Sequence, residues 1–269
     1  MSKMATGTGS HTTLHDVRED RYPWRQFFVL FVAGMLGALA ILPYQLVLLP
    51  EAARRLPLAL VIASGIVNSA IFIAVAVGVG LAAARAVGLR APVSAAIAYG
   101  GDALAEARRL GPWSALALGA GTAVVIIALD LALFRAQASA LAAATAARPE
   151  RWQGLLASFY GGLTEELLTR LLLVSVIVWL LGRIWRDADG KPASGAFVTA
   201  IVGAAALFGL GHLPATAALA PLTPPLVVRA VLLNGIAGVL FGSLYWRRGL
   251  EAAMLAHFGA DVVLHVIAG

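Results

Sequence analysis

Three short runs hold the ionisable groups that stand out in this chain: Thr164-Glu165-Glu166-Leu167-Leu168-Thr169-Arg170, Phe208-Gly209-Leu210-Gly211-His212 and His257-Phe258-Gly259-Ala260-Asp261. Each lies inside a long apolar stretch. In hydrocarbon an ionisable side chain is costly unless it faces a partner or a water-filled cavity, so charge at such positions points to function. On a helix Glu166 and Arg170 are four apart and share a face, which lets the guanidinium neutralise that carboxylate. Glu165 is rotated by about 100° from Glu166 and is left to act as a general base. The plainer reading of both acids is a buried ion-pair network that joins helices.

His212 alone carries a weak signal, since a histidine on an apolar helix can simply hydrogen-bond nearby backbone. Phe208, one turn earlier, reads as a packing residue. Gly209 and Gly211 remove side-chain bulk and permit close approach of a helix or a substrate backbone. On the last helix His257, Asp261 and His265 recur every four residues as a polar stripe. Asp261 can hold the His257 imidazole in one tautomer or ligate an ion, whereas His265 reads as interfacial. Glu251, near Arg247 and Arg248, reads as an ordinary interfacial charge, and Asp130 and Arg229 receive no role.

By residue type, Glu165, His212, His257 and Asp261 could equally ligate one zinc ion. No H-E-x-x-H helix occurs, and the chain has no cysteine, which excludes thiolate metal sites and a cysteine nucleophile. Two motifs that would place a catalytic serine or aspartate within a span fail on spacing. Ser64-Gly65 follows Ile62-Ala63 and so lacks G-x-S-G, and Asp102 follows Tyr99-Gly100-Gly101 and so lacks G-x-G-D.

The elements that must position these groups follow from composition. Of 269 residues, 60% are hydrophobic and 13% charged, and the mean hydropathy is +0.86. No single soluble core hides that much apolar surface, so lipid is part of the solvent. The pattern predicts an all-α, polytopic membrane bundle of about seven transmembrane helices, with eight as an upper count. The spans fall near 26–49, 58–87, 112–134, 153–182, 195–213, 226–246 and 250–268. Residues 1–25 read as a mobile polar tail, 26–152 as N-terminal membrane helices and loops, and 153–269 as the helical core that carries the three charged runs, which the family resemblance given below makes catalytic. Residues 88–111 read as an interfacial loop with a short helix, and 214–225 as a proline-rich connection.

Thirteen basic residues fall in the segments that would be inner if the N-terminus is cytoplasmic, against five in the outer ones. That bias places the N-terminus on the cytoplasmic side of a multi-pass protein of the inner (plasma) membrane, and eighteen Arg against two Lys with abundant Ala suggest a bacterial source. The +6 net charge comes without the aromatic-plus-basic clustering of a nucleic-acid surface, so membrane lipids and not nucleic acid are the expected surroundings. One tension stands out: at 1.5 Å per residue, Glu165 and His212 lie about 27 Å from their inner flanks, but His257 lies only about 14 Å beyond Arg248. Either the turn at 247–249 dips into the protein, the helices tilt strongly, or the topology differs; the recessed turn is favoured, since two arginines are accommodated where a cavity admits water.

In sequence, E-E-x-x-x-R, F-x-x-x-H and H-x-x-x-[N/D] on successive spans resemble the CPBP family of CAAX proteases and bacteriocin-processing enzymes, also called the Abi family. The resemblance covers about residues 153–265. It implies an intramembrane endopeptidase acting on a membrane-associated protein or peptide. Glu165 and His212 would activate water, Glu166 and Arg170 would complete the first motif, and His257 and Asp261 would steady the oxyanion. The family was first labelled metalloprotease, yet its structurally understood prenyl-protein member works through glutamate, so the resemblance requires no cofactor and leaves zinc open. Asp261 stands where the eukaryotic prenyl endopeptidase has asparagine, so it is either protonated or orients His257. Two other classes compete: a proton- or cation-coupled transporter using the same groups as a relay, and a non-catalytic membrane adaptor that binds partners through Gly238 and Gly242.

Overall fold

The computed structural model describes residues 22–49, 51–144 and 148–269. Among them the regular structure is helical, with one isolated bridge between Arg186 and Pro192. The N-terminal half contains α1 (Trp24–Ala40), α2 (Leu42–Val47), α3 (Glu51–Arg54), α4 (Leu58–Val87), α5 (Pro92–Tyr99), α6 (Ala103–Arg109), α7 (Pro112–Leu133) and α8 (Arg135–Ala144). A helical segment follows whose hydrogen bonding changes along its length: α9 (Arg151–Phe159), the π-helical turns π1 (Tyr160–Glu165) and π2 (Leu167–Val174), then α10 (Ser175–Leu181). The remainder is α11 (Ser194–Gly211), α12 (Leu213–Leu219), α13 (Pro224–Arg248), α14 (Leu250–Val262) and π3 (Val263–Ile267).

Among the described residues six helices are long and apolar enough to cross a membrane. The segment expected as the fourth of seven spans is the α9–π1–π2–α10 run, whose apolar character is interrupted by Glu165, Glu166 and Arg170. Two further expectations need correcting. The proline-rich stretch after His212 is not all connection, because α12 restarts at Leu213 with Pro214 in its first turn, where the missing N–H costs nothing. Of the expected tail 1–25, residues 1–21 lie outside the described residues, and Tyr22 is tied to the bundle, its hydroxyl donating to the Gly78 carbonyl at 2.9 Å. Burial pushes that hydroxyl up to about 12, so the tether stays protonated through the neutral range.

The charged segment sits at the centre of the bundle. α1 and α4 pack on one side of it, α11 and α14 on another, and α13 joins α11, α14 and α7. Small residues set these distances. A Cβ on Gly80 would stand 2.7 Å from the Leu171 carbonyl oxygen, and one on Gly119 would stand 1.8 Å from that of Ala256. The glycines of the G-x-x-x-G pair in α13 are used in the same way, with Gly238 against Ala205 and Gly242 against Ile201. That pair is spent inside the chain, which removes the feature on which the adaptor reading stood. Of the two glycines before His212, Gly209 seats on Val231 as expected, whereas Gly211 faces open space.

The turn between α13 and α14 is tucked under the segment entering α5. Gly249 and Leu250 are buried, the Leu250 N–H donates to the Arg90 carbonyl at 2.9 Å, and the Ser94 N–H donates to Glu251 Oε1 at 2.8 Å. Gly249 adopts φ +119°, a conformation open to glycine at little cost. Glu251 is therefore a structural acceptor with a buried Oε2, not a free interfacial charge. Asp130 and Arg229 also acquire a role: the guanidinium meets the carboxylate through two parallel bonds, both 2.7 Å, clamping α7 to α13.

Candidate active site

Five of the six predicted site residues come together. Glu166 is fully buried, and its Oε1 is hydrogen-bonded to His257 Nδ1 at 2.7 Å and ion-paired with Arg170 Nη1 at 3.0 Å. The Glu166–Arg170 pair predicted from spacing therefore forms, even though π-helical hydrogen bonding replaces the α pattern around it. Arg170 is held by more than that carboxylate. It donates to Thr169 Oγ1 and to the Gly238 carbonyl, and its guanidinium carbon stands 5.0 Å from the Phe208 ring centre and 5.2 Å from that of Phe241.

Glu165 points elsewhere, as its rotation from Glu166 requires. Its side chain is 23% exposed while the neighbouring His257 is 5% exposed, and Oε2 lies 3.6 Å from His257 Nε2. Asp261 Oδ1 approaches the same nitrogen at 3.7 Å. One imidazole thus links all three acids: Nδ1 is committed to Glu166, and Nε2 faces Glu165 and Asp261. An ionised carboxylate paired to arginine can only accept, so His257 carries a proton on Nδ1. Phe241 stacks on this ring with centres 4.7 Å apart and an interplanar angle of 25°.

His212 stands one aromatic ring away. It follows the last residue of α11, and its Nδ1 lies 2.8 Å from the Phe208 carbonyl oxygen. A carbonyl cannot donate, so Nδ1–H is the donor, and in the neutral ring Nε2 is then the acceptor. The backbone bond named as the plainer reading is present, but it also fixes the tautomer that accepts a proton. Among the described residues, no ion pair within 4.0 Å joins His212 to Glu165. The two histidines meet the same ring instead: Phe208 lies 4.7 Å from His212 and 5.9 Å from His257, edge-on to each. Phe208 is thus more than packing, since its ring contacts both imidazoles and faces the Arg170 guanidinium. His265 lies at the margin, 4.0 Å from Asp261 Oδ1 and beside Tyr44.

Gly161 is the residue that reading by charge passed over. A Cβ there would stand 2.0 Å from Asp261 Oδ2 and 3.1 Å from His257 Nε2, so only glycine leaves room for both. The Gly161-Gly162 pair one turn before the acids is the signal that could have found it. The π-helical turns fit this role, because such turns are uncommon and concentrate at functional sites.

The four candidate zinc ligands do not converge as a set. Among the described residues no three histidine, aspartate or glutamate side chains have ligand spacing. The orphaned carboxylate oxygen of the cluster, Glu166 Oε2, belongs to the arginine-paired acid rather than to one of those four.

The family model described as type II CAAX prenyl endopeptidase Rce1-like matches residues 147–263, which include every residue of the cluster. The match covers less than half of the chain. No curated protein and no solved structure shows a significant match.

Proposed function

We propose that the chain, whose residues 147–263 match the Rce1-like type II CAAX prenyl endopeptidase family model, hydrolyses a peptide bond of a membrane-associated protein or peptide, using water activated by Glu165. The observation that carries this reading is the division of labour between adjacent acids. Glu166 is sealed and neutralised by Arg170, while Glu165 is partly exposed beside the Nε2 face of His257.

In this reading Glu165 takes a proton from water as the hydroxyl oxygen attacks the scissile carbonyl, and later returns it to the leaving amine. His212 presents an Nε2 lone pair that can hold the second water hydrogen, its other nitrogen being tied to the Phe208 carbonyl. His257, anchored through Nδ1, turns Nε2 toward the developing oxyanion and stabilises it as a hydrogen-bond donor when protonated. Asp261 lies 3.7 Å from that nitrogen and in this reading orients the ring. A protonated Asp261 can also donate, which meets the departure from asparagine at this position. Because the four candidate ligands do not share one centre, no step is routed through a metal.

The test is a comparison of membranes from cells carrying the wild-type chain and Glu165→Gln by quantitative proteomics. One or more membrane-associated proteins should accumulate uncut with the variant and be cleaved by purified wild-type protein, with cleavage persisting in the presence of a strong zinc chelator. An unchanged proteome together with no cleavage by wild type sinks the proteolytic reading. Cleavage abolished by chelator and restored by zinc replaces it with a metal-dependent one.

A further inference from the structure

Away from the acid–imidazole cluster, a groove of about 830 Å³ opens between the start of α1, the end of α4 and the segment entering α5. Arg25, Arg85 and Arg90 are among its lining residues, and among the described residues no acidic side chain lines it. The position of these charges along the chain is informative. Arg25 is the second residue of one candidate span, Arg85 lies in the last turn of the next, and Arg90 follows three residues after that turn ends. All three therefore stand at span ends, the level of lipid headgroups. Trp24 and Tyr99 line the same groove, and such amphipathic rings favour that level. Deeper in, the lining turns apolar with Leu81 and Leu171, as an acyl chain requires.

We propose that this groove binds the phosphate-bearing headgroup of an acidic phospholipid. Basic pockets between membrane helices near the aqueous surface suit such headgroups, with arginine supplying a planar fork for phosphate oxygens. The groove is built before the lipid arrives. Buried Gln26 donates from Nε2 to the Ala91 carbonyl at 3.0 Å and to Ser94 Oγ at 3.1 Å, holding the Arg90 segment against α1. The same segment is bonded to Leu250 and Glu251 at the head of α14, and Leu171 directly follows Arg170. A lipid seated here would brace two of the elements that carry the acid–imidazole cluster.

Binding is read by native mass spectrometry of the full chain released from micelles carrying equal amounts of short-chain phosphatidylglycerol and phosphatidylcholine. The wild type should retain phosphatidylglycerol preferentially. Each groove arginine contributes roughly fivefold in affinity, so Arg25→Gln with Arg90→Gln should lower that preference by about an order of magnitude or more. Ala95→Trp, which fills the groove and leaves its charge intact, should lower it too. Arg108→Gln with Arg109→Gln, a basic pair outside the groove lining, should leave it unchanged. Equal retention of both lipids by the wild type overturns the proposal, as does an equal loss in the Arg108/Arg109 variant. Inorganic phosphate or glycerol 3-phosphate competing as well as the lipid at matched concentration would assign the groove to a free phosphate instead and refute the lipid. All variants are compared at wild-type helical content by circular dichroism, and either groove variant meeting that standard while keeping full preference refutes the site.

Discussion

Removing the cation from the buried pair is the perturbation whose cost the structure defines best. Arg170 is 2% and Glu166 0% exposed, with 3.0 Å between Nη1 and Oε1. Replacing Arg170 by Met keeps bulk but leaves a desolvated carboxylate with His257 as its remaining partner and Oε2 unbonded. Breaking a buried pair from one side costs about 3–5 kcal/mol, or roughly 6–20 °C in melting temperature for a chain near this size. Glu166→Gln should cost less, because Arg170 keeps Thr169, the Gly238 carbonyl and two aromatic faces, contacts that partly hold a cation. With both changes together no charge is stranded, and stability should return to within about 1–2 kcal/mol of wild type. The measurement is a double-mutant cycle by denaturant titration of the full chain in mixed micelles, followed by far-ultraviolet circular dichroism. A coupling energy of about 2 kcal/mol or more is expected. Single variants that each lose under about 1 kcal/mol, or a double variant as unstable as the two losses added, would refute the view that this pair is a desolvated unit whose halves depend on each other.

Further outcomes follow from the same geometry. Glu165→Gln should lower cleavage by roughly 10²- to 10⁴-fold with no change in the denaturation midpoint, since the Glu166–Arg170 pair is untouched; an equal fall in stability would make Glu165 structural. Gly161→Ala places a methyl 2.0 Å from Asp261 Oδ2 and should abolish cleavage at a stability cost of about 1–3 kcal/mol, read by activity and denaturation on the same preparation. Gly211→Ala, which faces open space, is its control and should retain the wild-type fold. For the Asp130–Arg229 clamp, Arg229→Ala should destabilise by about 1–3 kcal/mol and the paired Asp130→Ala/Arg229→Ala variant by no more than that; strict additivity would show that the two side chains act separately.

The legibility of the site varied with the kind of information each residue carries. Glu166 and Arg170 could be paired from spacing because residues four apart share a face in an α-helix, and the pairing survives the π-helical turns. His257 and Asp261 were visible as a stripe on an apolar helix for the same periodic reason. The meeting of Glu166 with His257 was not readable, as it depends on how α14 packs against π1 and not on either helix alone. Asp130 and Arg229, 99 positions apart, gave no local sign of being partners. Glycine carried the least legible information: the residues at 161 and 238 are identical in sequence, yet one makes room for a carboxylate and the other for a neighbouring helix.

Composition and periodicity by themselves determined that this chain is a helical membrane protein and which residue types stand in its apolar spans, because hydropathy and helical phase are properties of consecutive residues. Tertiary structure alone decided that Glu166 meets His257, which nitrogen of each imidazole is committed, and that both histidines contact the Phe208 ring. Those outcomes depend on distances between segments remote in sequence, set by the close approach of helices at glycine and by the recessed turn at Gly249. A charge in a span announces that it needs a partner, but only packing chooses the partner.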